Sequence, residues 1–261
     1  MSVYLDWNST TPLLPEVARA MAEASVEAWG NPASVHRHGR AARARVEAAR
    51  EAVAALARVD PRDVVLTSGG TEANNLAVRS AFHGRPTGET LVTSRLEHPS
   101  ITRVAEALER EGHARVRWVR VLPEGRLDLD DLARALEEAP ARLVTVQTVN
   151  HETGVRQPVS KVADLAREHG ALLHVDAVQG WGKVDVDESA GDSRSFAAHK
   201  LGGPKGIGAL LTRPGTPVTP LLLGGAQERG IRPGTVDPVA CAGLAVAARR
   251  ALSGPERYSE I

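Results

Sequence analysis

Short runs rich in β-branched and aliphatic residues alternate with longer alanine-, leucine- and arginine-rich stretches along most of the chain, and this alternation leaves few folds open. Strands separated by helical crossovers pair in parallel, so the pattern predicts an α/β fold with a mainly parallel sheet. Strand candidates are VVLTSGG (64 to 70, running into a glycine turn), TLVTS (90 to 94), ARVRWVRV (114 to 121), RLVTVQTV (142 to 149), ALLHVDAV (171 to 178) and GALLT (208 to 212). A long helix is expected over Gly39 to Arg58, ended by Asp60 and Pro61, and another over 71 to 82. Further helices are expected near 99 to 111, 128 to 138, 160 to 169 and 237 to 252. Pro/Gly-rich stretches at 202 to 206 and 213 to 217 mark turns.

At 261 residues and 42% apolar content, the chain is long enough to bury one large core. Its 32 basic and 32 acidic residues give a formal net charge of zero, and no basic stripe alternates with aromatics, so nucleic acid is not an indicated partner. No apolar run reaches the length of a membrane span, and MSVYLDWNST has no charged-then-hydrophobic signal pattern, so a cytoplasmic location is expected. One cysteine, Cys241, allows no internal disulfide and no cysteine cluster for a metal.

Within this frame the most informative pair is Lys200, in AHKLGGPKG (198 to 206), and Asp176, at the end of an apolar run in HVDAVQ (174 to 179). A lysine that can lose its proton and a carboxylate that stays charged are the groups that hold pyridoxal phosphate. The amine condenses with the cofactor aldehyde, and the carboxylate keeps the ring nitrogen protonated. Arginine cannot replace the lysine, because its guanidinium stays protonated. The chain has four lysines: Lys161 and Lys183 read as surface charges, Lys205 sits in a turn, and Lys200 follows a small-residue segment suited to burial. Burial favours the neutral amine.

Other polar candidates fall at the carboxyl ends of strands, where open α/β sheets bind ligands. Gly69 and Gly70 permit a tight turn, and Thr71 with the following amides faces a phosphate from a helix N-terminus. The same glycines equally serve a plain turn before a helix. His98 in SRLEHPS is placed to stack on a ring and relay protons, or is an ordinary loop histidine. Gln179 can donate to a ring hydroxyl or cap a turn.

Taken in order, YLDWNSTTP (4 to 12), GNPASVHRHGRAAR (30 to 43), TSGGTEANNLAV (67 to 78), EHPS (97 to 100), HVDAVQGWGK (174 to 183), HKLGGPKGIGAL (199 to 210) and GGAQERGIRPGT (224 to 235) resemble the cysteine desulfurases, NifS/IscS-like, of the class V aminotransferase group among fold type I pyridoxal phosphate enzymes. The resemblance runs over roughly residues 3 to 250 and implies a large-domain sheet of seven strands flanked by helices. By it, Lys200 is the Schiff-base lysine, Asp176 pairs with the ring nitrogen, Gln179 binds the ring hydroxyl and His98 stacks. Gly70 and Thr71 hold the phosphate, His199 adds a contact on the phosphate side, and Thr235 reaches the phosphate in the partner of a homodimer. The implied organisation is an arm over 1–13, a large domain over 14–236 and, over 237–261, a helix leading to a smaller domain that this sequence lacks. The implied activity converts L-cysteine to L-alanine and passes sulfur through a protein thiolate to an acceptor scaffold for iron-sulfur clusters or tRNA thiolation.

Three departures qualify that resemblance. In VNHETG (149 to 154), the second asparagine of the family's pair, a cofactor contact, is His151. The serine that bonds the phosphate two residues before the His-Lys pair is Ala197, a loss on the order of 1.5 to 3 kcal/mol if nothing replaces that charged hydrogen bond. Cys241 lies in the apolar helical stretch PVACAGLAVAA and reads as a buried small hydrophobe, so no exposed thiolate is available to take sulfur. A related enzyme needing no such thiolate, an aminotransferase or selenocysteine lyase, or a catalytically incomplete chain, therefore stands beside the desulfurase reading.

Overall fold

A computed structural model describes residues 3–186 and 191–259; the first two residues of the expected arm and the last two of the expected C-terminal segment lie outside them. Among the described residues the seven strands are β1 (Val64–Thr67), β2 (Glu89–Ser94), β3 (Ala114–Val119), β4 (Ala141–Gln147), β5 (Leu172–Asp176), β6 (Ser193–Ala197) and β7 (Gly208–Thr212). The helices are α1 (Pro15–Glu27), α2 (Arg37–Ala57), α3 (Gly70–Phe82), α4 (Pro99–Arg110), α5 (Leu129–Glu138), α6 (Val159–Glu168), α7 (Pro238–Ala251) and the short α8 (Gly254–Ser259). One sheet has the order β1-β7-β6-β5-β4-β2-β3. The pairs β2–β3, β2–β4, β4–β5 and β5–β6 are parallel, and β7 alone runs against its two neighbours. The expected mainly parallel α/β architecture is therefore what the chain forms.

Adjacent residues of a strand point to opposite faces, and here they enter different cores. Val92, Val144 and Leu211 join the large cluster built with α2, α5, α6 and α7, while their neighbours Leu91 and Leu143 pack with α3 and α4, and Leu210 packs with α3. Helices thus cover both faces, which is why the strand sequences read as continuous apolar runs. Helix α7 lies against α1 and α2 and buries Cys241, Leu244 and Ala248 in the large cluster.

Three elements have no counterpart in the sequence reading, α1, β6 and the short α8. Strand β6 has the sequence SRSFA, yet all five residues are buried. Burying Ser193 and Ser195 is compensated because each hydroxyl meets a polar side chain of β5: Ser193 Oγ lies 2.8 Å from His174 Nδ1, and Ser195 Oγ donates to Asp176 Oδ1 at 3.1 Å. The polar pattern that hid the strand is the pattern that joins it to β5. Ala197 pairs with Gly208 across the β6–β7 return, and a Cβ on Gly208 would meet the Phe196 carbonyl oxygen at 2.3 Å, so only glycine fits there.

Candidate functional site

The carboxyl ends of β4, β5 and β6, the N-termini of α3 and α4, and the arm around residues 5–9 enclose a cavity of about 680 Å³. Eight of the nine expected site residues line it: Gly70, Thr71, His98, His151, Asp176, Gln179, His199 and Lys200. Thr235 does not. It is exposed and borders a second cavity beside Arg50 and Glu228.

Gly69, at φ +150°, turns the chain from β1 into α3, and no side chain caps that helix N-terminus. Gly70 packs so closely that a Cβ would meet Val178 Cγ2 at 2.6 Å. The uncapped backbone donors of α3 therefore open toward the cavity without a competing side chain, the arrangement that suits a phosphate.

Asp176 ends β5 and is held from three directions. Its Oδ2 accepts from Asn74 Nδ2 at 2.7 Å, and its Oδ1 accepts from Ser195 Oγ and from the Val178 backbone N–H, both at 3.1 Å. Beneath it His174 is fully buried between Ser193 Oγ and Asn74 Oδ1, and burial lowers its pKa to about 4, so the ring is neutral.

His98 caps α4 through Nδ1, which accepts from the Ser100 N–H at 3.1 Å and lies 2.7 Å from Ser100 Oγ. Its ring meets that of His151 edge to face, with centroids 5.2 Å apart. Burial depresses the His98 pKa; Asp176 opposes the shift, while His151 and Lys200 add to it. Asn150, next to His151, is buried and serves the turn, donating to Leu96 O at 3.1 Å and accepting from the Glu152 and Thr153 amides.

Lys200 is half-buried, and burial lowers its pKa against the pull of Asp176 and Asp6. Its amine donates to the Asn8 carbonyl and, at 2.8 Å, to the Ser9 carbonyl. Gln179 Nε2 donates to the same Asn8 carbonyl at 2.8 Å, and Gln179 Oε1 accepts from Lys183 Nζ at 2.7 Å. Lys183 is thus no ordinary surface charge: burial and the nearby Lys200 bring its pKa down to about 8. His199 is drawn toward the arm, its Nδ1 3.1 Å from Thr10 Oγ1 and its carbonyl accepting from Thr11 N and Oγ1; burial lowers its pKa to about 4. Ala197 lines the cavity and, as its sequence dictates, offers no hydroxyl.

Sequence reasoning missed Asn74, Ser100, His174, Ser195 and Glu97, all buried around the cavity. Glu97 Oε1 accepts from the Gln147 N–H at 2.9 Å while its Oε2 has no hydrogen-bond partner; burial, aided by Asp176, pushes its pKa up to about 8. A signal for Asn74 was present: an asparagine inside a helix usually competes with the helix backbone, so one at the second turn of α3 asks for a side-chain partner.

A family model described as aminotransferase class-V matches residues 3–249. The chain belongs to the class-V aminotransferase family. Its family is pyridoxal phosphate-dependent, and the cavity's donor set fits that group: an amine whose pKa burial lowers, a fixed carboxylate, an imidazole and an uncapped helix N-terminus. The class-V chain is 41% identical over 252 residues to a cysteine desulfurase of Trichormus azollae, a match covering 96% of this chain and 62% of that protein. It therefore spans about three-fifths of the length of that curated relative. Among solved structures it is similar to a NifS-like protein (TM-score 0.91, 35% identity, covering 100% of this chain and 71% of that one). It is also similar to SspA in complex with cysteine (TM-score 0.88, 32% identity, 95% and 72%). No helix among the described residues is long and apolar enough to cross a membrane.

Proposed function

We propose that this class-V chain forms the cofactor-binding part of a cysteine desulfurase that takes L-cysteine and releases L-alanine. The observation that carries the reading is the convergence of Lys200, Asp176, His98 and the α3 N-terminus on one cavity. When bound, pyridoxal phosphate supplies an electron-withdrawing ring that labilises bonds at the amino acid's Cα.

The chain's own residues do the rest. Lys200 provides the attachment amine, and its depressed pKa raises the neutral fraction that can react. Asp176, fixed by Asn74, Ser195 and the Val178 amide, pairs with the ring nitrogen. Gly70, Thr71 and His199 take the phosphate side, with Ala197 leaving that side one hydroxyl short. His98 would cover the ring and exchange a proton, burial having lowered its pKa. Gln179, whose amide meets the Asn8 carbonyl, and His151 would complete the ring's surroundings.

The reading extends to the whole protein. The organisation proposed is an arm (1–13), a large unit (14–236) and a helix-led C-terminal segment (237–261), working as a cytoplasmic homodimer in which Thr235 serves the partner's phosphate. Its exposure outside the cavity supports that placement. Sulfur passes to an acceptor scaffold for iron-sulfur or tRNA thiolation. Cys241 is fully buried, and burial pushes its thiol up to about 12, so it is no sulfur nucleophile; a second reading, an aminotransferase or selenocysteine lyase, would need no protein thiolate.

The test is incubation with pyridoxal phosphate, borohydride reduction and peptide mass mapping. An adduct on Lys200 supports the site; an adduct elsewhere or none overturns it. Sulfide from cysteine with a reductant supports desulfurase, and a keto acid instead supports aminotransferase.

A further inference from the structure

We infer that Asn74 is a positioning residue that ties the proton on His98 to the charge on Asp176 through the hydroxyl of Ser100. The inference rests on the proposed function for the use made of His98 and Asp176, but the hydrogen-bond chain exists without a bound group.

Asn74 is 1% exposed and uses both ends of its amide. Nδ2 donates to Asp176 Oδ2 at 2.7 Å and to Ser100 Oγ at 2.8 Å, and Oδ1 lies 2.9 Å from His174 Nε2. An ionised carboxylate only accepts. The end of the amide facing Asp176 must therefore be the NH₂, and its carbonyl oxygen must face His174. A carbonyl cannot donate, so His174 carries its proton on Nε2, and its Nδ1 accepts from the Ser193 hydroxyl.

The same orientation fixes the other branch. Ser100 Oγ receives an N–H from Asn74, which leaves its own proton for His98 Nδ1, 2.7 Å away. That nitrogen also receives the Ser100 backbone N–H at 3.1 Å. With two donors aimed at it, Nδ1 is an acceptor, and neutral His98 holds its proton on Nε2. Protonating Nδ1 would break the contact with the Ser100 backbone N–H and force the Ser100 hydroxyl to turn its own proton away. Besides this chain, His98 faces Asp176, His151 and Lys200, with buried Glu97 adjoining it in the sequence. Asp176 attracts a proton to the ring, His151 and Lys200 repel one, and the Asn74–Ser100 branch selects which nitrogen carries it. If Asp176 were neutralised, the amide would be free to turn over; His174 would lose its single assigned form, and His98 would keep only the Ser100 backbone N–H to fix its own.

The experiment is long-range ¹H–¹⁵N NMR of the histidine rings in the 261-residue chain, without cofactor. The wild type should show unprotonated Nδ1 and protonated Nε2 at both His98 and His174 at neutral pH. Ser100→Ala should mix the two forms at His98, raise its titration midpoint by on the order of one pH unit (about tenfold in proton affinity), and leave His174 unchanged. Ser100→Thr should restore the wild-type signals. Asn74→Leu and Asp176→Asn should each mix the forms at His174 as well. A merely structural Asn74 would lower stability and leave these ring nitrogens alone. Unchanged His98 signals and titration in Ser100→Ala overturn the inference even if Asn74→Leu fails to fold. Absence of a Lys200 adduct would instead defeat the proposed function and leave this result standing.

Discussion

The backbone carbonyl of Asn8 accepts a hydrogen bond from the Lys200 amine. Gln179 donates to the same oxygen, so two groups assigned to the cofactor also hold the arm in place. We predict that Lys200→Ala removes any pyridoxyl adduct and speeds amide hydrogen exchange over residues 4–11. Lys200→Gln, which keeps a donor, should lose the adduct with a smaller change in exchange. Equal exchange in all three proteins would separate the arm from the lysine.

Glu97 sets a pH dependence of stability. Its pKa is raised in the fold from 4.5 to about 8, so the folded chain binds the extra proton between those values. Its contribution is full below about pH 4.5 and is lost as pH rises through about 8, a change on the order of a few kcal/mol. Glu97→Gln should flatten that slope in urea unfolding between pH 5 and 8. A slope identical to wild type would show that Glu97 ionises normally.

Arg50 and Glu228 form a buried pair, with Nη1 to Oε2 at 2.8 Å and Nη2 to Oε1 at 2.6 Å; Glu228 also accepts from the Leu66 N–H at 2.7 Å. Glu228 and Arg229 are held at positive φ (45° and 57°), a conformation side chains disfavour. Arg50→Leu should cost about 3 to 5 kcal/mol by stranding the carboxylate, read as a lower urea midpoint. The double variant Arg50→Leu, Glu228→Leu should recover part of it, and no recovery would mean the loss lies in packing.

Cys241 should resist iodoacetamide in the native protein and react fully in urea, because its thiol is both buried and held protonated. Rapid native alkylation would contradict its placement in α7.

Most of the fold was readable because strand and helix patterns differ where apolar residues decide them. Strand β6 escaped because Ser193, Arg194 and Ser195 look like a loop until β5 supplies partners for the serines. Helix α1 went unrecognised for a different reason: of its thirteen residues only Val17 and Ala24 are fully buried, so it carries little apolar stripe. Eight of the residues lining the cavity were legible from their motifs, whereas Ser100 and His174 were not and Asn74 showed only as an asparagine inside a helix. Their meaning lies in which atom faces which, and residues 74 and 174 meet only after the sheet has formed. Lys183 was misread because a lysine's stem gives no hint of the Gln179 amide it meets.

Residues 198–207, which carry Lys200, leave β6 at Ala197 and re-enter β7 at its direct partner Gly208. Both ends are therefore clamped to one point of the same ladder, and the lysine's reach is a matter of segment length. Adding or deleting even a single residue there would relocate the amine while leaving both strands intact. An engineer seeking to regraft this chemistry onto another sheet would have to copy the span along with the residue.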